Sequence, residues 1–152
     1  MTTWLQLLVT GITMGSIYAL IGLGYVTIYR TSHIVNMAQG GFVMVGAYFG
    51  YSLLNERGLP YWASIIISIL AVVVLAVGMY LLVLRPIMKT SFVNMILATV
   101  GLSLLIEGLM WWKWGGFPQS LPTFTGDKFL WLGGVAISPQ NLWVIGLMLA
   151  VF

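Results

Sequence analysis

Charged residues are so sparse in this 152-residue chain that they divide it into long uncharged stretches. Only 6% of the residues are charged, 61% are hydrophobic, and the mean hydropathy is +1.04. A run of about 18 or more residues without a charge is long enough to cross the hydrocarbon core of a bilayer as a helix. The sequence therefore predicts an all-α integral membrane protein, because soluble domains carry about 25% charged residues.

The uncharged stretches predict a polytopic bundle of transmembrane helices. Four complete spans are expected at about residues 4–29, 35–54, 61–84 and 91–112. A fifth helix over residues 139–152 begins where Ser138 is followed by Pro139, a pair typical of a helix start. At 1.5 Å per residue it reaches only about 21 Å, against roughly 30 Å for the hydrocarbon core. We therefore expect residues 1–152 to be one transmembrane domain that is incomplete at its C-terminal end.

Residues 113–138 form the longest predicted loop, which is rich in Gly, Pro and Thr. Within it, apolar residues flank Gly133 and Gly134, and a Gly-Gly pair supplies the positive φ values of a tight turn. This pattern predicts a small β-hairpin outside the membrane. The short connections near Arg30 and Arg85 carry positive charge, so the positive-inside rule places the N-terminus and this loop on the extracytoplasmic side.

Small residues recur on one face of each of the first two predicted spans. In the first span Gly11, Gly15 and Ala19 lie four residues apart, and in the second Gly46 and Gly50 do the same. Such stripes allow a neighbouring helix to approach closely, which is their usual role in membrane bundles. The alternative is that these faces border a translocation path.

Polar residues and adjacent glycines lie together at the start of the second predicted span. Asn36 and Gln39 are followed by Gly40 and Gly41, which weaken a helix. Polar or broken helices at membrane depth are tolerated only where they face protein or a water-filled cavity. Either Asn36 and Gln39 bond to a neighbouring helix, or these four residues line or gate a path.

Glu107 is the only acidic residue inside a predicted span, and it shares a helix face with Thr99 and Ser103. A carboxylate within the membrane is a candidate for function, for example as a proton or cation site. Its other interpretation is packing or an interfacial position, because "WWKW" at residues 111–114 is typical of a membrane boundary.

The sequence contains no pattern typical of catalysis or cofactor binding. It has no Cys, His33 is its single histidine, and no nucleophile lies beside a base. It also lacks a phosphate-binding loop and metal-ligand spacing, so we predict no catalytic residue, no metal site and no cofactor. A net charge of +3 from so few charged residues forms no basic face for nucleic acid. We expect a non-enzyme that draws energy for any transport from a partner or a gradient.

Two consecutive segments, "GITMGSIYALIGLGYVTIYR" and "HIVNMAQGGFVMVGAYFGY", resemble the start of the permease subunits of branched-chain amino acid ABC transporters. Looser similarity continues through "RPIMK", "ILATVGLSLLIEG" and "GGVAISPQNL". The resemblance rests on Gly11, Gly15, Ser16, Tyr18, Ala19, Leu20, Leu23, Gly24, Asn36, Ala38, Gly40, Met44, Gly46, Ala47 and Tyr48.

This resemblance implies an inner (plasma) membrane permease for branched-chain amino acids or a related small polar solute. It also implies a second homologous permease, two cytoplasmic ATP-binding subunits and an extracytoplasmic solute-binding protein as partners, with residues 36–41 facing the pathway between the permeases. The alternatives are a self-contained channel or gradient-driven carrier with Glu107 as its ion site, and a purely structural membrane subunit. A carrier is expected to show inverted repeats, and neither "GSIYAL" nor "NMAQGG" has a second copy.

Overall fold

The computed structural model describes residues 2–116, 119–121, 130–132 and 135–152. They fall into two compact units, one formed by Met1–Thr27 with Pro122–Phe152 and the other by Ile28–Leu121. The elements in chain order are helices α1 (Thr2–Ser32), α2 (Gln39–Tyr51), α3 (Tyr61–Met79), α4 (Arg85–Ile87) and α5 (Phe92–Trp114), strands β1 (Leu130–Leu132) and β2 (Val135–Ile137), and helix α6 (Pro139–Val151).

Three helical stretches of the described chain are long and apolar enough to cross a membrane: Thr3–Ser32, Tyr61–Ile87 and Phe92–Trp114. The second predicted span, residues 35–54, is not among them, so length and hydropathy do not support the predicted count of four complete spans. Residues 34–38 are not helical, and α2 begins only at Gln39 before continuing as a π-helical turn over Ser52–Glu56. The polar residues and glycines that shorten this helix also lower its hydropathy. Pro139–Val151 is apolar but shorter than a span.

Helix α2 lies at the centre of the Ile28–Leu121 unit, where it packs against both α3 and α5. The buried core consists of Ala38, Val45, Leu102 and Ile106. By contrast, α3 and α5 expose large apolar side chains along their outer faces. This arrangement explains the composition of α2, since a helix covered by protein tolerates the small and polar residues that a lipid-facing helix avoids.

Local features of the backbone and side chains fix the end of α1 and both ends of α5. His33 has a φ of 54°, and its N–H donates to Tyr29 O at 2.8 Å, which closes the last turn of α1. At the start of α5, Ser91 Oγ accepts a hydrogen bond from Asn94 N at 3.4 Å. Gly115, with a φ of 75°, ends the same helix. The break after Ser32 is thus a property of the backbone at His33.

A two-stranded antiparallel sheet lies at the position of the predicted hairpin. Leu130 pairs with Ile137 and Leu132 with Val135, while Gly133 and Gly134 lie outside the described residues. The side chain of Gln6 in α1 bonds the edge of β2 twice within the same unit. Its Nε2 donates to Ala136 O at 3.0 Å, and its Oε1 accepts from Ala136 N at 3.1 Å. Gln6 therefore acts on β2 as a third strand would and ties the sheet to α1.

Candidate functional site

Residues 33–38 form the irregular connection between α1 and α2. They overlap residues 36–41, where the sequence predicts a helix entry or break, but residues 39–41 are helical. Asn36 is buried, and its Oδ1 accepts a hydrogen bond from Ala38 N at 3.1 Å. Asn36 O also accepts from Gln39 N at 3.4 Å. The Asn36 side chain therefore stabilises the first turn before α2 by bonding its own backbone rather than a neighbouring helix.

Thr99 of α5 is hydrogen-bonded to the backbone of this segment. Its Oγ1 accepts from Met37 N at 3.2 Å and lies 3.4 Å from Val35 O and 2.9 Å from Ile96 O. The residue is fully buried. The sequence placed Thr99 only in a polar stripe with Glu107 and did not predict this contact. The signal for such a contact in the sequence was a single threonine among the apolar residues of the span predicted at residues 91–112.

The two adjacent glycines at the start of α2 have different surroundings. A Cβ atom on Gly41 would lie 3.2 Å from Ile106 Cγ2 and 3.3 Å from Ile106 Cδ1. A Cβ atom on Gly40 would have nothing described within 4 Å, and Gly40 is exposed. Gly41 thus permits the close packing of α2 on α5, while Gly40 lies on an open face.

A cavity of about 470 Å³ separates parts of α2 and α3. Gln39 and Ser68 contribute polar groups to a lining that is otherwise largely apolar. Nearby, a Cβ atom on Gly46 would lie 3.4 Å from Val72 Cγ2, and one on Gly50 would lie 3.6 Å from Ser68 Oγ. The two glycines therefore set the close approach of α2 to α3 beside the cavity.

A smaller cavity of about 150 Å³ shares Ile28, Phe42 and Ala76 with the first. Asn36 and Ser32 line it together with Phe42, Met79 and Tyr80. Asn36 and Gln39, three residues apart, thus border different cavities of the same unit. Both lie where a polar side chain is covered by protein, as the sequence required of a broken helix.

Glu107 does not join this group of residues. It is exposed on α5 and accepts a hydrogen bond from Ser103 Oγ at 3.0 Å. Thr99, Leu102 and Ile106 form the buried face of the same helix. Glu107 lines neither the 470 Å³ cavity nor the 150 Å³ cavity. The polar stripe predicted for α5 is therefore divided between a buried threonine and an exposed carboxylate.

The small residues of α1 lie on a face that the described residues leave open. Nothing described comes within 4 Å of a Cβ atom placed on Gly11 or Gly15, and Ala19 is half-buried. The buried polar residues of this helix are Thr13 and Ser16, and each donates its hydroxyl hydrogen to the carbonyl four residues earlier. The close packing proposed for Gly11 and Gly15 has no partner among the described residues.

The tryptophans at the end of α5 divide into two exposed rings and one packed ring. Trp111 and Trp112 are exposed, in keeping with the interfacial position predicted for them. Trp114 instead stacks on Tyr48 of α2 with 5.3 Å between ring centroids. Lys113 Nζ lies 4.2 Å from the centroid of the Trp114 ring, a cation–π contact within the chain. Tyr48 and Trp114 thus hold the far end of α2 against α5.

Comparison with known proteins identifies the family of this chain. The family model described as the permease component of the branched-chain amino acid transport system matches residues 7–152. The chain belongs to this family. The match includes both segments that carry the sequence resemblance, and it extends through the sheet and α6. No solved structure matches the chain.

Several curated relatives in the family are named as high-affinity branched-chain amino acid transport permeases. The BraD protein of Pseudomonas aeruginosa is 26% identical over 151 residues, which cover 91% of this chain and 49% of BraD. LivH of Escherichia coli is 25% identical over 84% of this chain and 44% of LivH. A probable LivH permease of Methanocaldococcus jannaschii is 29% identical over 76% of this chain and 36% of that relative. The chain spans about half the length of the curated relatives it matches.

Proposed function

We propose that this chain forms part of the membrane-spanning permease of an ABC importer for branched-chain amino acids or a related small polar solute. The observation that carries the proposal is the family match over residues 7–152. Relatives from a bacterium and an archaeon with the same named activity support it. The helix break at residues 33–38, in which Ile34, Asn36 and Ala38 are buried, is the structural feature in best agreement with a pathway subunit.

Within this function, Asn36 and Gln39 are the proposed pathway residues, because each brings an amide to the border of a cavity beside α2. Gly40 keeps the open face of the same turn small. Gly41 serves helix packing, since it lies against Ile106. Glu107 is assigned no role in energy coupling, because it lies apart from both cavities.

The proposed membrane arrangement includes α2 as a fourth pass. Residues 39–56 are helical without interruption and reach about 27 Å at 1.5 Å per residue. Because α3 and α5 pack against this helix, it needs less hydropathy than a span that faces lipid on all sides. The pairing of β1 with β2 fits a small extramembrane hairpin. The N-terminus and residues 113–138 would then lie on the extracytoplasmic side of the inner membrane.

The proposed partners are a second homologous permease, two cytoplasmic ATP-binding subunits and an extracytoplasmic solute-binding protein. ATP hydrolysis is proposed to take place in the separate ATP-binding subunits. The permease would then contribute alternation between outward-open and inward-open packings of its helices.

The test is uptake by the full reading frame expressed with its partner genes in cells that lack branched-chain amino acid import. We expect uptake of labelled leucine that needs the ATP-binding subunits and is blocked by vanadate. Competition with valine, another amino acid, an amide or urea then defines the solute class. Uptake that needs no ATP-binding subunit and collapses with a protonophore would contradict the proposal and support a gradient-driven carrier. Normal assembly without uptake of any of these solutes would support a structural subunit.

A further inference from the structure

The hydroxyl of Thr99 lies between the backbone of its own helix and the irregular segment before α2. Ile96 O is 2.9 Å from Oγ1, Val35 O is 3.4 Å from it, and Met37 N donates to it at 3.2 Å. The side chain is fully buried, so water does not compete for these bonds. Thr99 is thus linked to three backbone groups on two separate parts of the chain.

A threonine hydroxyl has one hydrogen to donate and can accept at its oxygen. It can therefore donate to Ile96 O or to Val35 O, but a full bond to both at once is excluded. The bond from Met37 N is available in either case, because it uses the oxygen as an acceptor. Residues 33–38 are consequently held to α5 by two hydrogen bonds in one arrangement and by one in the other.

No other side chain of α3 or α5 has a described hydrogen bond to the backbone of residues 33–38. The remaining described bonds of the segment are local. His33 N donates to Tyr29 O, Ile34 N to Ser32 Oγ, and Ala38 N to Asn36 Oδ1. Gln39 N donates to Asn36 O and Phe42 N to Ala38 O. These bonds shape the segment but do not attach it to α5. Its polar attachment to that helix thus depends on the hydroxyl of Thr99.

We propose that Thr99 is a positioning residue that latches the start of α2 to α5. When Thr99 Oγ1 donates to Val35 O, two hydrogen bonds hold residues 33–38 to α5. When it donates to Ile96 O, only the bond from Met37 N remains, and the segment can shift without losing that bond. The consequence for transport rests on the proposed function, since residues 36–41 border the proposed pathway. In that case the arrangement with one hydrogen bond lets the start of α2 move during the transport cycle.

The latch is tested by amide hydrogen exchange at Met37 in the 152-residue chain, held in lipid nanodiscs. Thr99→Val keeps the branched shape but removes the hydroxyl, and we expect exchange at Met37 to speed up by about threefold to tenfold. Thr99→Ser keeps the hydroxyl and should stay close to the unsubstituted protein. The matched control is Thr13→Val, because Thr13 is also buried but donates only to Val9 O at 2.9 Å in its own helix.

Unchanged exchange at Met37 in Thr99→Val would overturn the latch, and so would an equal increase in Thr13→Val. If Thr99→Val does not fold, Thr99→Ala provides the hydroxyl-free variant, with the same expectation at Met37. Uptake by the full permease is measured separately, where Thr99→Val should slow uptake and Thr99→Ser restore it. Absence of uptake in the unsubstituted permease would count against the proposed function, while the exchange result would still decide the latch.

Discussion

Adding one methyl group at Gly41 tests whether the contact between α2 and α5 is as close as the structure shows. A Cβ atom at this position would lie 3.2 Å from Ile106 Cγ2 and 3.3 Å from both Cβ and Cδ1 of the same side chain. Ile106 is only 1% exposed and has little free space into which it can move. Gly41→Ala should therefore push the two helices apart by a few tenths of an ångström, whereas Gly40→Ala should meet nothing described within 4 Å.

The magnitude follows from two opposing effects. Alanine is favoured over glycine inside a helix by about 0.8–1.0 kcal/mol, and this gain applies to both positions. Overpacking a buried contact costs about 1–3 kcal/mol, and this cost applies to Gly41 alone. We therefore expect Gly40→Ala to raise the free energy of unfolding by up to about 1 kcal/mol. Gly41→Ala should lie about 1–3 kcal/mol below Gly40→Ala.

The assay is unfolding in mixed micelles by titration with sodium dodecyl sulfate, followed by far-ultraviolet circular dichroism. Ile106→Val removes Cδ1, one of the three close atoms, and alone should cost about 0.5–1.5 kcal/mol. Combined with Gly41→Ala it should cost less, because it relieves part of the crowding. Equal stability of Gly41→Ala and Gly40→Ala, or strict additivity of the double variant, would refute this account of the contact.

Three further predictions concern Gln6, His33 and Glu107. Gln6→Leu should lower the free energy of unfolding by about 1–3 kcal/mol and speed amide exchange at Ala136. Gln6→Glu is the control, because its carboxylate can still accept from Ala136 N. Unchanged exchange in Gln6→Leu would contradict the attachment of β2 to α1. His33→Gly should raise the unfolding temperature and His33→Val should lower it. The reason is that a left-handed backbone conformation costs a residue other than glycine roughly 1–2 kcal/mol. The opposite order would disprove strain at this helix end. Glu107→Gln should leave ATP-driven uptake nearly intact, and loss of uptake with normal assembly would favour an ion site at Glu107.

Most helix positions follow from local sequence because hydropathy and charge are local properties. The spans predicted at residues 61–84 and 91–112 lie within Tyr61–Ile87 and nearly within Phe92–Trp114. A helix entry or break was also predicted at residues 36–41, since Asn36, Gln39 and two glycines weaken a helix. The irregular segment instead ends at residue 38, and residues 39–41 are helical. The number of full spans did not follow from the sequence, because an uncharged stretch does not show whether lipid or protein covers it.

Local patterns in the sequence predicted a membrane helix bundle with a helix entry or break at residues 36–41, and its motifs pointed to the permease family that the comparison then showed. Which atoms these residues contact depends on the packing of the helices. Gly40 and Gly41 are identical neighbours, yet a turn of about 100° between them places one on an open face and the other against Ile106. Thr99 reaches Met37 across 62 positions of the chain. Such contacts depend on how helices pack, and packing joins residues that no local pattern relates.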